Sequence, residues 1–348
     1  MEISQYISQK IKALSFISII LVLFIHGVFL DIKDFPVTNY IQKAFGFNGF
    51  GIVANPLFFS ISGFLFFRNI QTINDCIPKI NKRLKSLFIP YIIWNVLFIS
   101  WFVVCGLILP FSNFLNSGII GELINNSFLY DIYLLFIKPV AFHLWYVRDL
   151  LLYILVSPLI YLLLIEIKII ILPILFVLGE IGLFYFPPTI KLWGLFFFVL
   201  GGYIAIYKDI NQINIISKPL FIFSFLIYLS NAIFHPFLVD NLKGHEMVVE
   251  VCGIITLWKG YDYLYLGNIK ITNKLTEFGQ YTFFIYCFHE PVFNIIKKIS
   301  FLIAGTKDSG IVIIYFMNSL IMIISSIVIA KFLKHKMPNF YKLLTGGR

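Results

Sequence analysis

Apolar residues run along this chain in long blocks separated by short polar stretches. Ten blocks are long enough to cross a bilayer, near 13–30, 50–67, 87–109, 141–164, 168–186, 190–207, 216–234, 247–266, 279–303 and 309–333. A helical span needs about 20 predominantly apolar residues. The pattern predicts an all-α polytopic membrane protein of about ten transmembrane helices. Residues 1–348 read as a single integral membrane domain, with no separate soluble domain. The first block is too long for the apolar core of a signal peptide, and no small-residue cleavage site follows it.

Composition agrees. Mean hydropathy is +0.90, and charged residues make up 13% of the 348. A soluble domain cannot hide that much apolar surface, whereas a bilayer solvates it. The net charge of +10 invites comparison with nucleic-acid binders, but the positive residues sit in short loops between blocks, so no nucleic-acid partner is expected. In a ten-span arrangement with both ends on one side, 17 Lys and Arg fall on that side and 8 on the other. The asymmetry predicts that both termini are cytoplasmic. Cys76, Cys105, Cys252 and Cys287 lack metal-ligand spacing, and no metal is expected. No internal repeat of the kind found in many transporters is visible.

The connection from Arg68 to Lys85 is basic. Its second half, Pro78 to Pro90, is expected to form an amphipathic interfacial helix running into the third span. The longest loop, about 110–140, is placed outside, with its apolar stretch 128–140 resting on the membrane.

Charged and polar residues inside the blocks are the informative exceptions, because an ionisable side chain in lipid is costly and marks a functional site by default. The first block carries His26, on the same face as Lys12 and Ser15 at 100° per residue. A neutral imidazole there can accept a proton from a hydroxyl and return it. The competing reading is a packing histidine bonded to a neighbouring helix. In the second block Ser60, Ser62 and Gly63 are small and suit close helix packing, with Ser60 and Ser62 also candidates to line a polar channel. Lys82, Arg83 and Lys85 read as a topology and headgroup determinant, or as a docking site for donor phosphates.

The fourth block opens His143-Leu-Trp-Tyr-Val-Arg148-Asp149. Neighbours on a helix do not face each other, so Arg148 and Asp149 are expected to meet different partners. Tyr146, Asp149, Tyr153 and Ser157 form a polar stripe. In the ninth block Thr282, Tyr286 and His289 share a face, and Glu290 precedes Pro291. That proline frees a backbone carbonyl and predicts a kink. Lys259 and Asp262 are expected to snorkel to the inner interface. His235 and His245 fall in an outer loop, as solvated or acceptor-contacting groups.

These pieces, in this order, resemble the acyltransferase-3 family of bacterial membrane proteins. The resemblance rests on Leu23-Phe-Ile-His26, on Pro56-Leu-Phe-Phe-Ser-Ile-Ser-Gly-Phe-Leu65 and on Lys82-Arg-Leu-Lys-Ser-Leu-Phe-Ile-Pro-Tyr91. It also rests on His143 to Asp149 and on Tyr281-Thr-Phe-Phe-Ile-Tyr-Cys-Phe-His-Glu-Pro291. The blocks extend across about 290 residues, and the ten-span, ends-inside topology agrees. The resemblance implies transfer of an acyl group, usually acetyl, from cytosolic acetyl-CoA to hydroxyls of cell-envelope glycans at a bacterial inner membrane. Acetyl-CoA is then a co-substrate, and no cofactor is held permanently. His26 would be the essential first-span histidine. One departure stands out: many members carry Arg eleven residues before that His, where this chain has Ser15. Lys12, one turn nearer the cytosol, is the candidate substitute, although an ammonium is not a guanidinium.

The expected mechanism assigns His26, Arg148 and His289 to catalysis. Lys12, Lys82, Arg83 and Lys85 meet the donor, and Ser62, Tyr146, Asp149, Tyr286 and Glu290 meet the substrate. The alternative function is a proton-coupled transporter or flippase, which intramembrane His, Arg and Glu would also suit.

Overall fold

The computed structural model describes residues 3–29, 35–108, 139–181, 192–211, 216–237, 246–304 and 307–347. Most of the expected outer loop 110–140, together with His245, lies outside them. All regular structure among the described residues is helical. The chain begins with α1 (Gln5–His26), whose first turn is capped by Ser4 accepting a hydrogen bond from the Ile7 N–H. There follow α2 (Pro36–Phe45), α3 (Ala54–Phe67), α4 (Cys76–Arg83) and α5 (Ile89–Ile108). The expected amphipathic segment is present as α4, joined to α5 by a π-helical turn at Leu84–Phe88.

The second half of the chain holds α6 (Trp145–Leu155), α7 (Ser157–Glu166), α8 (Ile171–Glu180), α9 (Leu192–Tyr207) and α10 (Lys218–Phe234). It closes with α11 (Glu246–Gly267), α12 (Ile269–Gly279), α13 (Thr282–Ala304), α14 (Asp308–Lys336) and α15 (Pro338–Thr345).

Five helical segments among the described residues are long and apolar enough to cross a membrane: Gln5–His26, Pro36–Phe67, Ile73–Trp101, Lys218–Phe237 and Asp308–Lys336. The pair α6 and α7, bent by 61° at Val156, makes a sixth if it is one span. The expected number was about ten. Several expected blocks fall short of this length and composition test among the described residues. Helix α9 has 16 residues, α11 carries Glu250, Lys259 and Asp262, and α13 is broken at Glu290.

Buried polar side chains sit within an otherwise apolar core, while large apolar side chains also face outward, as a lipid surround permits. On α14, Asn318, Ser319 and Ser326 are buried while Ile313, Val328 and Phe332 are exposed. On α10, Phe223 and Leu226 point outward.

Two glycines set the tightest helix contact. A Cβ on Gly63 of α3 would lie 1.9 Å from the Phe198 carbonyl oxygen of α9, and one on Gly201 of α9 would lie 2.0 Å from the Ser60 carbonyl oxygen of α3. The two backbones therefore touch in both directions, which only small residues permit.

Both ends of the chain meet at one end of the bundle. The Ser4 N–H donates to Asn211, Thr276 Oγ1 donates to the Gln9 carbonyl, and Lys334 Nζ donates to Gln280 at 2.9 Å. This end, called here the basic face, also carries Arg68, Lys82, Arg83 and Lys85.

One expectation is corrected here. Lys259 and Asp262 do not snorkel: they are 7% and 3% exposed and join a buried ion cluster. Lys10 of α1, itself 1% exposed, reaches Asp262 Oδ1 at 2.5 Å, and Lys259 stands 3.9 Å from Oδ2. Tyr6 donates to the same carboxylate, and the Lys10 ammonium lies 4.2 Å from the Trp258 ring. Lys10, counted among loop positives, is thus a packing element that fixes α1 against α11.

Candidate active site

The site begins with a break in a helix. Pro291 has no N–H to offer the carbonyl four residues back, Cys287, and Glu290 leaves the helical region at φ −103°, ψ 138°. Two carbonyls near the break bind histidines. His143 Nε2 lies 3.2 Å from the Cys287 carbonyl, and His289 Nδ1 lies 2.7 Å from that of Tyr286. A carbonyl only accepts, so both ring nitrogens carry hydrogen. In the neutral rings the other nitrogens, His143 Nδ1 and His289 Nε2, then hold lone pairs. Both are buried without a hydrogen-bond partner. Such a nitrogen is chemically able to take up a proton.

The three imidazoles form a row. His289 lies 4.9 Å, centroid to centroid, from His26 on one side and from His143 on the other. His289 is fully buried, whereas His26 is partly exposed, so the outer member of the row is reachable. His26 ends α1, and its carbonyl accepts from Lys297 Nζ at 2.7 Å. That contact ties the last turn of α1 to the second half of α13. Glu290 lies beside the row, oriented by Asn294 Nδ2 at 2.5 Å.

The ligating atoms of His26, His289 and Glu290 lie within 4.8 Å of one another. This set is able in principle to take a cation. The Lys297 ammonium, bound to the end of α1, brings a positive charge to the same corner.

A cavity of about 490 Å³ runs inward from the basic face. Lys12 and Ser15 of α1, Ser62 of α3, Arg83, Tyr146 of α6, and Gln280, Thr282 and Tyr286 line it, between apolar walls that include Phe58, Ile61 and Leu150. Its volume is in the range of small-molecule sites. At its inner end Tyr146 and Tyr286 meet edge to face, 5.8 Å apart, and Ser62 Oγ is 3.1 Å from the Tyr146 hydroxyl. The Tyr286 hydroxyl donates to the His143 carbonyl. The two tyrosines therefore stand between the cavity and the histidine row.

The sequence-predicted residues distribute as follows. Lys12, Arg83, Ser62, Tyr146 and Tyr286 line the cavity, and His26, His289 and Glu290 gather beyond it. Lys82 and Lys85 are exposed and are not among the residues lining the cavity.

The expectation that Arg148 and Asp149 meet different partners is corrected. Arg148 Nε and Nη2 both reach Asp149 Oδ1, at 2.8 and 2.6 Å, and both residues are buried. The backbone vectors diverge, but a long guanidinium arm folds back across the gap. His143 heads the fourth block, and from the sequence it was given no role in the site. Arg68 and Gln280 were likewise given no site role.

Searches of curated proteins and of solved structures returned no match. The family model for the acyltransferase domain of the acyltransferase-3 type matches residues 9–333, from before the cavity mouth to beyond the histidine row. With nearly its whole length covered, this helical membrane chain belongs to the acyltransferase-3 family.

Proposed function

We propose that this membrane acyltransferase moves an acyl group, most simply acetyl, from cytosolic acyl-CoA to a hydroxyl of an envelope glycan at a bacterial inner membrane. The observation that carries the reading is the line from the basic mouth, through an apolar cavity, to a partly exposed histidine at the opposite end of α1. Lys12 and His26 are 14 residues apart, about 21 Å along the helix. That is a distance for a long thin donor arm to cover, with its charged end left at the mouth.

In this reading the donor's phosphates meet Lys12 and Arg83, and its arm lies between the walls of the cavity. Lys82 and Lys85 then act from the surface, drawing the anionic donor to the mouth. The Tyr146–Tyr286 pair parts to pass the thioester. His26 takes the proton of the acceptor hydroxyl, and the alkoxide oxygen attacks the thioester carbonyl. The C–S bond then breaks, and the thiolate takes up a proton as it leaves. His289, with its Nε2 lone pair turned to the row, shares the proton with His26. Glu290 and Asn294 orient the acceptor. Arg148 holds Asp149 and acts through the position of α6.

The test is direct. Purified protein is given labelled acetyl-CoA and a mixture of envelope glycans. Label on the glycan supports the reading. Counterflow of a solute in liposomes without any label transfer contradicts it and favours a carrier.

A further inference from the structure

A second chamber adjoins the cavity at the basic face. Its volume is about 500 Å³, and Ile3, Ser8, Ile11, Lys12, Leu65 and Arg68 line it. It shares Ile11, Lys12 and Leu65 with the main cavity. The two are lobes of one site, with Lys12 on the wall between them. The inner lobe is a corridor with apolar sides, and the outer lobe opens where the start of α1 meets the end of α3.

The charge of this site is one-sided. Lys12, Arg68 and Arg83 line the two lobes, and no carboxylate is among their lining residues. Such a concentration of positive charge calls for an anion. The end of α3 does not meet that demand. A helix C-terminus carries partial negative charge, but Lys79 already caps this one, donating to the Phe66 carbonyl at 2.8 Å and to the Arg68 carbonyl. The Arg68 backbone is thus bound by a neighbouring lysine while its side chain borders the outer lobe.

A guanidinium presents parallel N–H groups that match two oxygens of a terminal phosphate, whereas an ammonium acts as a point charge. The two cation types are arranged accordingly. Lys12, between the lobes, suits a phosphate within a chain. Arg68, in the outer lobe, suits a terminal phosphate at the far end.

We infer that Arg68 and the outer lobe bind a terminal phosphomonoester on the head of the acyl donor, and so select a donor phosphorylated at the end opposite its acyl group. This inference rests on the acyl-CoA reading above. It adds a residue and a chemical requirement to that reading: the head must carry a monoester dianion, and a head joined only through phosphodiester oxygens is a poor substitute.

The experiment compares acetyl-CoA with its 3′-dephospho analogue as donors for the purified full chain and for Arg68→Met and Arg68→Lys. Wild type should show a KM at least about 10-fold lower for the phosphorylated donor, the scale of one charge-assisted pair. Arg68→Met should bring the two KM values together, and Arg68→Lys should keep part of the difference. A wild-type preference that survives unchanged in Arg68→Met overturns the inference, as does a wild type that does not distinguish the donors.

Should Arg68→Met fail to fold, competition on wild type decides. Adenosine 3′,5′-bisphosphate should inhibit transfer at concentrations where adenosine 5′-monophosphate does not, and equal inhibition, or none by either, overturns the inference. Transfer from neither thioester by wild type would instead overturn the donor reading beneath it.

Discussion

At the scale of single residues, the account turns on which nitrogen of each histidine is free. The Tyr286 and Cys287 carbonyls fix the hydrogen on His289 Nδ1 and His143 Nε2, so His289 offers Nε2 to the row. Replacing His289 with Ala removes the neighbour of the proposed base while leaving the cavity lining intact. General acid–base contributions are typically 10²–10⁴-fold, so His289→Ala should lower kcat by at least about 100-fold with KM for the donor little changed. Steady-state kinetics on the purified variant checks this, and a variant whose loss is all in donor KM would move His289 to the donor side.

Asp262 makes a different prediction. It neutralises Lys10 and sits near Lys259, and breaking a buried pair by removing one partner costs about 3–5 kcal/mol. Asp262→Ala should therefore lower the thermal unfolding midpoint in detergent, and should do so more than Lys259→Met, because Lys259 is the more distant partner. Residue identity alone marked His26, His289 and Glu290, because ionisable groups in apolar blocks are rare. It could not show the Lys10–Asp262 contact, whose partners are about 250 positions apart. Nor could it show that Arg148 folds back on Asp149, which depends on side-chain reach rather than on helical period.

At the scale of elements, local sequence was a good guide where a single residue type forces the geometry. Pro291 predicted the break in α13, and the break carries the site, since Cys287 is the carbonyl that Pro291 leaves unpaired and His143 binds it. Gly63 predicted close packing, and α3 does touch α9 there. The partner glycine, Gly201, had no signal of its own, because nothing local says which helix will approach. Gly63→Ala would place a methyl carbon 1.9 Å from the Phe198 oxygen, so α3 and α9 must separate. Overpacking of this kind costs about 1–3 kcal/mol. The variant should show reduced thermal stability in detergent, and a second-site change that thins α9 should recover part of it. An unaltered midpoint would mean that the α3–α9 contact is looser than described.

Five or six helices among the described residues pass as membrane spans, and the expected count of about ten is not confirmed by them. The block near 141–164 reads as one continuous apolar run, yet the structure bends it by 61°, whereas the break in the block near 279–303 was announced by Pro291. Hydropathy measures solvation by lipid and carries no term for backbone direction.

At the scale of the whole molecule, the proposed function asks one helix to join two environments. Helix α1 presents Lys12 at the basic face and His26 at its far end, and it is held at both. Lys10 is fixed by Asp262 near the start, and the His26 carbonyl is fixed by Lys297 at the finish. The family match over residues 9–333 spans both Lys12 and His26. Between them the Tyr146 and Tyr286 rings meet edge to face, and in the proposed mechanism this pair closes the path. A transferase that takes its donor from one side and its acceptor from the other needs such a closure, because an open corridor would pass water and ions.

The most direct measurement is sided. The protein is reconstituted in liposomes with its basic face turned in, labelled acetyl-CoA is trapped inside, and the glycan acceptor is supplied outside. The account predicts label on the outside glycan with wild type, and loss of at least about 100-fold with His26→Ala in protein that remains folded and inserted. Transfer by His26→Ala at the wild-type rate would contradict it.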